Sequence, residues 1–249
     1  SFEKIESLSY SPFEGYDKNL LSSEQIAYDV NLFENFTNKL RTYGTLEAYK
    51  ILNSSKDSNL PIDLGLWIGG DLQENNLEIQ RALEILKEYP NRIQSVIVGN
   101  EVLLRKELEP LELYAYIDFM KSHTKKPVTT AETWDIWEKN PQLASHVDFL
   151  TIHILPYWEK VPIERYNEFI IEKYSVVEEL FPNRKIVIGE TGWPSHGYNN
   201  NKAVPSIKNQ AQAIRGFVNL AHEKGWHYNI IEALDQPWKG YDEGNVGQY

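Results

Sequence analysis

The spacing of apolar residues switches between a period of two and a helical period many times along the chain, and each switch marks a new element. Ile5-Glu6-Ser7-Leu8-Ser9-Tyr10-Ser11-Pro12 alternates as a short strand that Pro12 closes. Ser22 and Ser23, followed by Glu24 and Gln25, then cap a helix through Val30 and Phe33 to about Phe36. The pair of periods recurs. Residues 39–44 predict a strand, with Leu46, Tyr49 and Leu52 at helical spacing behind it. Residues 61–69 predict another, and Leu77, Ile79, Leu83 and Leu86 mark an amphipathic helix that Pro90 ends. A strand over 93–101 leads to a helix opened by Pro110 and running through Met120. Strands over 127–132 and 147–154 follow, the first with Trp134 and Trp137 just beyond it, the second with a helix from about Ile163 to Leu180. A strand over 185–190, a helix from Ile207 through Ala221 stopped by Gly225, and a strand over 228–233 complete the series.

This alternation, without an internal linker, predicts an α/β chain folded as one (β/α)8 TIM barrel, a single catalytic domain over residues 1–249. A doubly wound open sheet gives similar alternation. Closure is favoured because Tyr10, Arg41, Tyr43, Trp67, Asn100, Glu101, Glu132, His153, Tyr157, Glu190 and Glu232 all fall at or just past strand C-terminal ends, the functional face of a barrel. Residues 240–249 do not read as a helix, so the last helix is expected to be truncated or missing and the chain to stop short of its natural end.

Two strands share one grammar. Ile93-Gln94-Ser95-Val96-Ile97-Val98-Gly99-Asn100-Glu101 and Ile186-Val187-Ile188-Gly189-Glu190 are each an apolar, β-branched run that ends in a carboxylate, as a strand buried on both faces would. If both open on one face the carboxylates converge across a cleft, and paired carboxylates flanking a scissile bond are the machinery of glycoside hydrolysis. Alone, either glutamate could be a dipole-favoured acid at a helix start or half of an ion pair. Asn100 beside Glu101 shifts the balance, because an amide there can bond a sugar hydroxyl next to the reacting carbon. For Glu190, an ion pair with a group such as Arg41 would serve both readings, since it would favour the ionised form a nucleophile needs.

Charge and composition narrow the substrate. A formal net charge of −11 argues against nucleic acid and against an anionic membrane surface. The absence of cysteine excludes disulfides, thiolate metal sites and a cysteine nucleophile. No apolar run approaches the roughly 20 residues of a membrane span. Seven Trp and fifteen Tyr, several in polar, loop-like contexts, suit the faces of sugars. Trp134, Trp137, Trp158 and Trp238 are candidate platforms, each as readily helix-packing filler. Glu132 is a candidate sugar contact or a partner for a lysine. His153 has no metal-ligand spacing around it and reads as a structural hydrogen-bonding residue.

Ile97-Val98-Gly99-Asn100-Glu101 and Gly189-Glu190-Thr191-Gly192-Trp193-Pro194-Ser195 resemble the two signature segments of glycoside hydrolase family 17, retaining β-1,3-glucan enzymes with catalytic glutamates on strands four and seven. Arg41-Thr42-Tyr43-Gly44, His153-Ile154-Leu155-Pro156-Tyr157-Trp158 and Glu232-Ala233-Leu234-Asp235-Gln236-Pro237-Trp238-Lys239 resemble blocks of its compact bacterial members. The resemblance implies Glu101 as acid/base and Glu190 as nucleophile, with Tyr10, Tyr43, Asn100, Tyr157, Trp193 and Glu232 lining the subsite of the reacting glucose. Arg41, Glu132, Trp134, Trp158 and Trp238 complete the expected substrate-binding set. The segment from Pro156 to Ile163 is shorter than in plant members and lacks their subdomain, which implies a shallower cleft.

The expected protein is therefore a retaining hydrolase or glucanosyltransferase on β-1,3-glucan, with transfer slightly favoured. It is expected to need no metal or organic cofactor, to act as a monomer, and to touch neither nucleic acid nor membrane through this domain. The substrate class favours a secreted or periplasmic location. Two rivals differ in class. A Schiff-base aldolase needs a strand-end lysine, which no predicted strand supplies. A catalytically inactive barrel kept as a β-glucan-binding module would have no use for both glutamates.

Overall fold

Eight parallel strands close into a barrel in which each strand pairs with its neighbours in sequence and the last pairs with the first. The computed structural model describes residues 3–14 and 18–233. The barrel strands are β1 (Leu8–Ser9), β2 (Leu40–Arg41), β3 (Ile62–Leu66), β4 (Ile93–Asn100), β5 (Val128–Thr133), β6 (Leu150–His153), β7 (Ile186–Thr191) and β8 (His227–Ile230). Around them run α1 (Ser23–Phe33), α2 (Thr45–Ser54), α3 (Leu72–Glu88), α4 (Pro110–His123), α5 (Trp134–Lys139), α6 (Tyr166–Leu180) and α7 (Ile207–Lys224). The predicted (β/α)8 barrel is the observed fold. The truncated or missing eighth helix falls outside the described residues, as does Trp238.

The strands are buried on both faces, barrel interior and helix layer, which is why they read as apolar runs rather than alternations. Helix starts follow their caps: Ser22 Oγ accepts the N–H of Gln25, Asp71 accepts those of Gln73 and Glu74, and Ser206 that of Asn209. Helix α7 runs three residues past its predicted end to Gly225, whose φ of +68° makes the left-handed cap that glycine adopts without penalty.

Two features depart from the expectation. The chain makes a small antiparallel hairpin, Phe13–Glu14 with Asn19–Leu20, between β1 and α1. Helix α5 and the 3-10 turn Pro141–His146 fill the space after β5, where the sequence is too short and too interrupted by Pro141 for a helical period to show. Trp137 of α5 is fully buried with its indole N–H on the Thr151 carbonyl at 2.9 Å, so the filler reading is the right one for this tryptophan.

Candidate active site

The mouth of the barrel is organised by one cation. Arg41, at the end of β2, is 2% exposed. Its Nη1 donates to the Gly189 carbonyl at 2.8 Å and to His153 Nε2 at 3.1 Å, and lies 3.6 Å from Glu190 Oε2. Its Nη2 donates to Asn100 Oδ1 at 2.7 Å, and the guanidinium lies 4.3 Å from the centre of the Tyr43 ring. One side chain thus ties β2 to β4, β6 and β7 across the barrel. Gly189 is what lets β6 and β7 approach: a Cβ there would stand 2.3 Å from Thr151 Cγ2 and 3.2 Å from the His153 ring. Beneath Tyr43, its hydroxyl meets Ser9 Oγ at 2.9 Å, and Ser9 also accepts Asn229 Nδ2 at 2.7 Å, so β1, β2 and β8 are pinned as well.

Glu101 and Glu190 face each other over this layer. Glu190 is part of β7, in extended backbone, and is 5% exposed. Glu101 leaves β4 through Gly99 at φ +87° and is itself left-handed at φ +55°. A non-glycine residue holds that conformation at a cost of order 1 kcal/mol or more, so its surroundings must fix it. Carboxylate oxygens of Glu101 and Glu190 and a ring nitrogen of His153 all lie within 4.8 Å of one another.

The protons can be placed from donors alone. Arg41 has no acceptor, so His153 Nε2 facing it must accept and the ring proton belongs on Nδ1. That Nδ1–H points at Glu101 Oε1 at 3.4 Å. Burial would raise the Glu101 carboxyl; His153, with Arg41 and Arg105 behind it, outweighs this and holds it below the ordinary carboxylate range. By the same logic Asn100 turns its oxygen to Arg41 and its NH2 group away from it, which gives the cleft a donor. Burial, and to a smaller degree the charges of Glu190 and Glu232, push the Tyr43 phenol well up against the opposing pull of Arg41. Glu101, His153 and Glu190 are close enough together to ligate an ion. Arg41 already stands against His153 Nε2 and Glu190, supplying the positive charge an ion would bring.

Of the expected site residues, Glu101, Glu190, Arg41, Asn100, Tyr43 and His153 come together in this one layer. Glu232 is half-buried beside it, near enough for its charge to act on Tyr43. Trp158 is 45% exposed on the rim past β6. Trp134 is half-buried on the neighbouring rim, its indole N–H on Glu159 Oε2 at 3.0 Å and one face under the Lys173 ammonium. Four expectations are corrected. Tyr10 is fully buried and donates to Asp29 Oδ2 at 2.8 Å, so it points into the α1 layer rather than the cleft. Tyr157 and Trp193 pack edge-to-face on each other, the first donating to the Tyr198 carbonyl and the second to that of Val204, and together they support the rim from inside. Glu132 is fully buried and accepts backbone N–H groups of Leu103 and Leu104. Its direction follows from strand parity. His153 points inward to Arg41, and Ala131 and Thr133 lie in register with Thr151 and His153, so Glu132, one residue off, points outward.

Sequence reasoning missed Arg105. Its Nη2 donates to the Asn100 carbonyl at 2.9 Å and its guanidinium lies 4.5 Å from the centre of the exposed Trp67 ring, so it braces the backbone just before Glu101. Nothing in the mixed run Val102-Leu103-Leu104-Arg105-Lys106 marked it.

A family model described as the BtgE/BtgC glycoside hydrolase domain matches residues 7–249. The probable family 17 glucosidase SCW4 of Saccharomyces cerevisiae is 25% identical over 254 residues; the match covers 98% of this chain and 64% of the relative, so the chain spans just under two thirds of that protein's length. Among solved structures, an active-site mutant of Rhizomucor miehei β-1,3-glucanosyltransferase in complex with laminaritriose has the same fold, with a TM-score of 0.87 at 24% identity over 98% of this chain and 91% of the other. An endo-laminarinase from Formosa has it too, with a TM-score of 0.85 at 20% identity over 98% and 82%. Facing glutamates at the ends of β4 and β7 on a barrel that the family model matches almost end to end lead to one conclusion: the chain belongs to the BtgE/BtgC glycoside hydrolase domain family, and the assignment to glycoside hydrolase family 17 made from its two glutamate segments holds.

Proposed function

We propose that this chain cleaves β-1,3-glucan with retention, through a covalent glucosyl-enzyme, and passes the glucosyl unit to a second glucan more readily than to water. The observation that carries the reading is the close approach of the two carboxylates, one oxygen of each lying within 4.8 Å of the other. Retaining pairs stand about 5–5.5 Å apart, whereas inverting pairs leave roughly 6.5–9.5 Å for a water. The substrate class rests on the relatives named above, on the net charge of −11, and on aromatic rims that suit a neutral sugar.

In this mechanism Glu190 attacks the anomeric carbon while Glu101 gives its proton to the departing glycosidic oxygen. Glu190 Oε2 is turned toward Arg41 and His153, which leaves Oε1 as the attacking atom. A sugar entering the mouth covers the partly exposed Glu101 carboxyl, and the added desolvation raises its hold on a proton, as the acid step requires. Forming the ester then removes the negative charge of Glu190. With that charge gone the Glu101 carboxyl holds a proton less tightly, so once the leaving group has taken its proton Glu101 stays ionised; it then accepts the proton of the incoming hydroxyl as that oxygen bonds the anomeric carbon and the ester to Glu190 breaks. The amide NH2 of Asn100 donates to the hydroxyl beside the anomeric carbon. The Trp158 face, open on the rim, suits an acceptor sugar that displaces water.

Incubation with laminari-oligosaccharides, followed by chromatography and proton NMR, tests this. Products longer than the donor and a β-anomer released first are expected. Initial α-anomer would remove Glu190 as nucleophile, glucose and short fragments alone would assign hydrolysis, and no product at all would leave a glucan-binding module. A polymer substrate of this kind favours a secreted or periplasmic location. Among the described residues no helix is long and apolar enough to cross a membrane.

A further inference from the structure

Glu101 sits in a left-handed conformation on a segment that has no regular structure of its own, yet a general acid must be held to a fraction of an ångström. The chain from Glu101 to Glu107 closes on itself as a single tight turn. The Arg105 N–H donates to the Glu101 carbonyl at 2.9 Å, that of Lys106 to Leu103 at 3.1 Å, and that of Glu107 to Val102 at 3.2 Å. Like the first turn of a helix, it leaves its leading N–H groups without partners inside the turn. The Glu101 N–H is taken by the Ala131 carbonyl of β5 at 2.8 Å. Those of Leu103 and Leu104 are taken by Glu132, also of β5, at 2.8 and 3.4 Å.

We infer that Glu132 is a positioning residue for the acid/base step: from the outward face of β5 it caps the turn that carries Glu101 and thereby fixes where that carboxyl stands. The inference rests on the assignment of Glu101 as acid/base. Three features support it. Glu132 is fully buried, so it meets no substrate. The strand that supplies it also supplies the Ala131 carbonyl, so one rigid element grips the turn at two points. The charged groups that act on it are Glu101 and Arg105, both on that same turn. Burial, with the neighbouring Glu101 charge, outweighs the two N–H donors and Arg105 and pushes its carboxyl up to about 8, so it holds the turn as a neutral acid at neutral pH. A glutamine of equal reach should therefore replace it, whereas an aspartate, one methylene shorter, should not.

The test compares wild type, Glu132→Gln and Glu132→Asp on aryl β-glycosides of graded leaving-group acidity and on laminari-oligosaccharides at pH 6, with melting curves to verify that each is folded. Glu132→Asp should lose about tenfold or more in kcat/KM, which reads the glycosylation step, where the leaving group needs a proton, and less than about twofold in kcat/KM with a dinitrophenyl donor. Glu132→Gln should stay within about threefold of wild type throughout. Equal losses on every donor would make Glu132 a general structural residue and overturn the inference, as would an unaltered Glu132→Asp or a Glu132→Gln as impaired as the aspartate. The wild-type control keeps the two readings apart. Cleavage of aryl donors without any action on β-1,3-glucan would sink the substrate reading, while the leaving-group series would still judge Glu132.

Discussion

The two glutamates are held in opposite ways. Glu190 belongs to a regular strand and is gripped from inside the barrel, by Arg41 and by His153. Glu101 stands on a bend just beyond its strand and is gripped largely from outside, through the backbone of its own turn, by Arg105 and Glu132. The contrast fits the roles proposed for them. A nucleophile needs one fixed line of attack and a counter-charge beneath it, while an acid that becomes a base must face first a leaving group and then an acceptor.

The contrast can be broken from either side. The largest effect should come from Glu190→Gln, which is expected to cost at least ~10³-fold in kcat with every donor. Glu101→Gln should cost ~10²–10⁴-fold in kcat/KM on glucan yet spare kcat/KM for a dinitrophenyl glycoside, whose leaving group needs no proton. Steady-state rates on the two donors decide, and equal loss for both variants on the activated donor would undo the assignment of roles. Next in size is Arg41→Lys, which keeps a cation but loses the fork that reaches Gly189, His153 and Asn100 at once; a loss of about 10–100-fold is expected on both kinds of donor alike. Donor-selective loss would place Arg41 on the Glu101 side instead.

Stability separates the sides more gently. Gly189→Ala drives a methyl against Thr151 in the packed barrel interior and should cost about 1–3 kcal/mol, read as a lower Tm. Gly99→Ala brings a methyl to 2.6 Å from Val102 in a backbone of positive φ and should cost as much while also disturbing Glu101, so its activity loss should be confined to poor leaving groups. The last effect is one of pH. The Glu132 carboxyl ionises near 4.5 when unfolded and about 8 when folded, so the folded state holds its proton longer. The stability this represents is complete below pH 4.5 and is lost as pH rises through 8. Melting curves of Glu132→Gln and wild type should accordingly shift in the variant's favour between pH 5 and pH 9. A difference constant with pH would contradict the buried, neutral carboxyl.

The unequal grip also explains what the sequence could show. Strands β4 and β7 were legible because burial on both faces writes a run of β-branched residues, and a glutamate closing such a run stands out. The fate of a side chain one position further was not legible. Glu132 and His153 both sit near strand ends, but which of them faces the cleft depends on register between strands, and a single sequence carries no record of register. Tyr10, Tyr157 and Trp193 lie at the right height for a substrate yet turn into the helix layer and the rim, where buried hydroxyl and indole groups find carboxylate and carbonyl partners. Arg105 acts through the Asn100 backbone, a contact that leaves no motif.

Arg41 and Gly189 are separated by 148 positions along the chain, and their contact spans the barrel from the second strand to the seventh. During synthesis the arginine is made early and must wait, exposed in a half-built sheet, for its partners to arrive. An amino-terminal fragment ending before β7 therefore contains Glu101 and Arg41 but neither Glu190 nor the carbonyl that Arg41 binds. Turnover is in that sense an assay of ring closure: a nascent or refolding population gains activity only when its last strands dock, and any lag between recovered helix content and recovered catalysis measures how long that final joining takes.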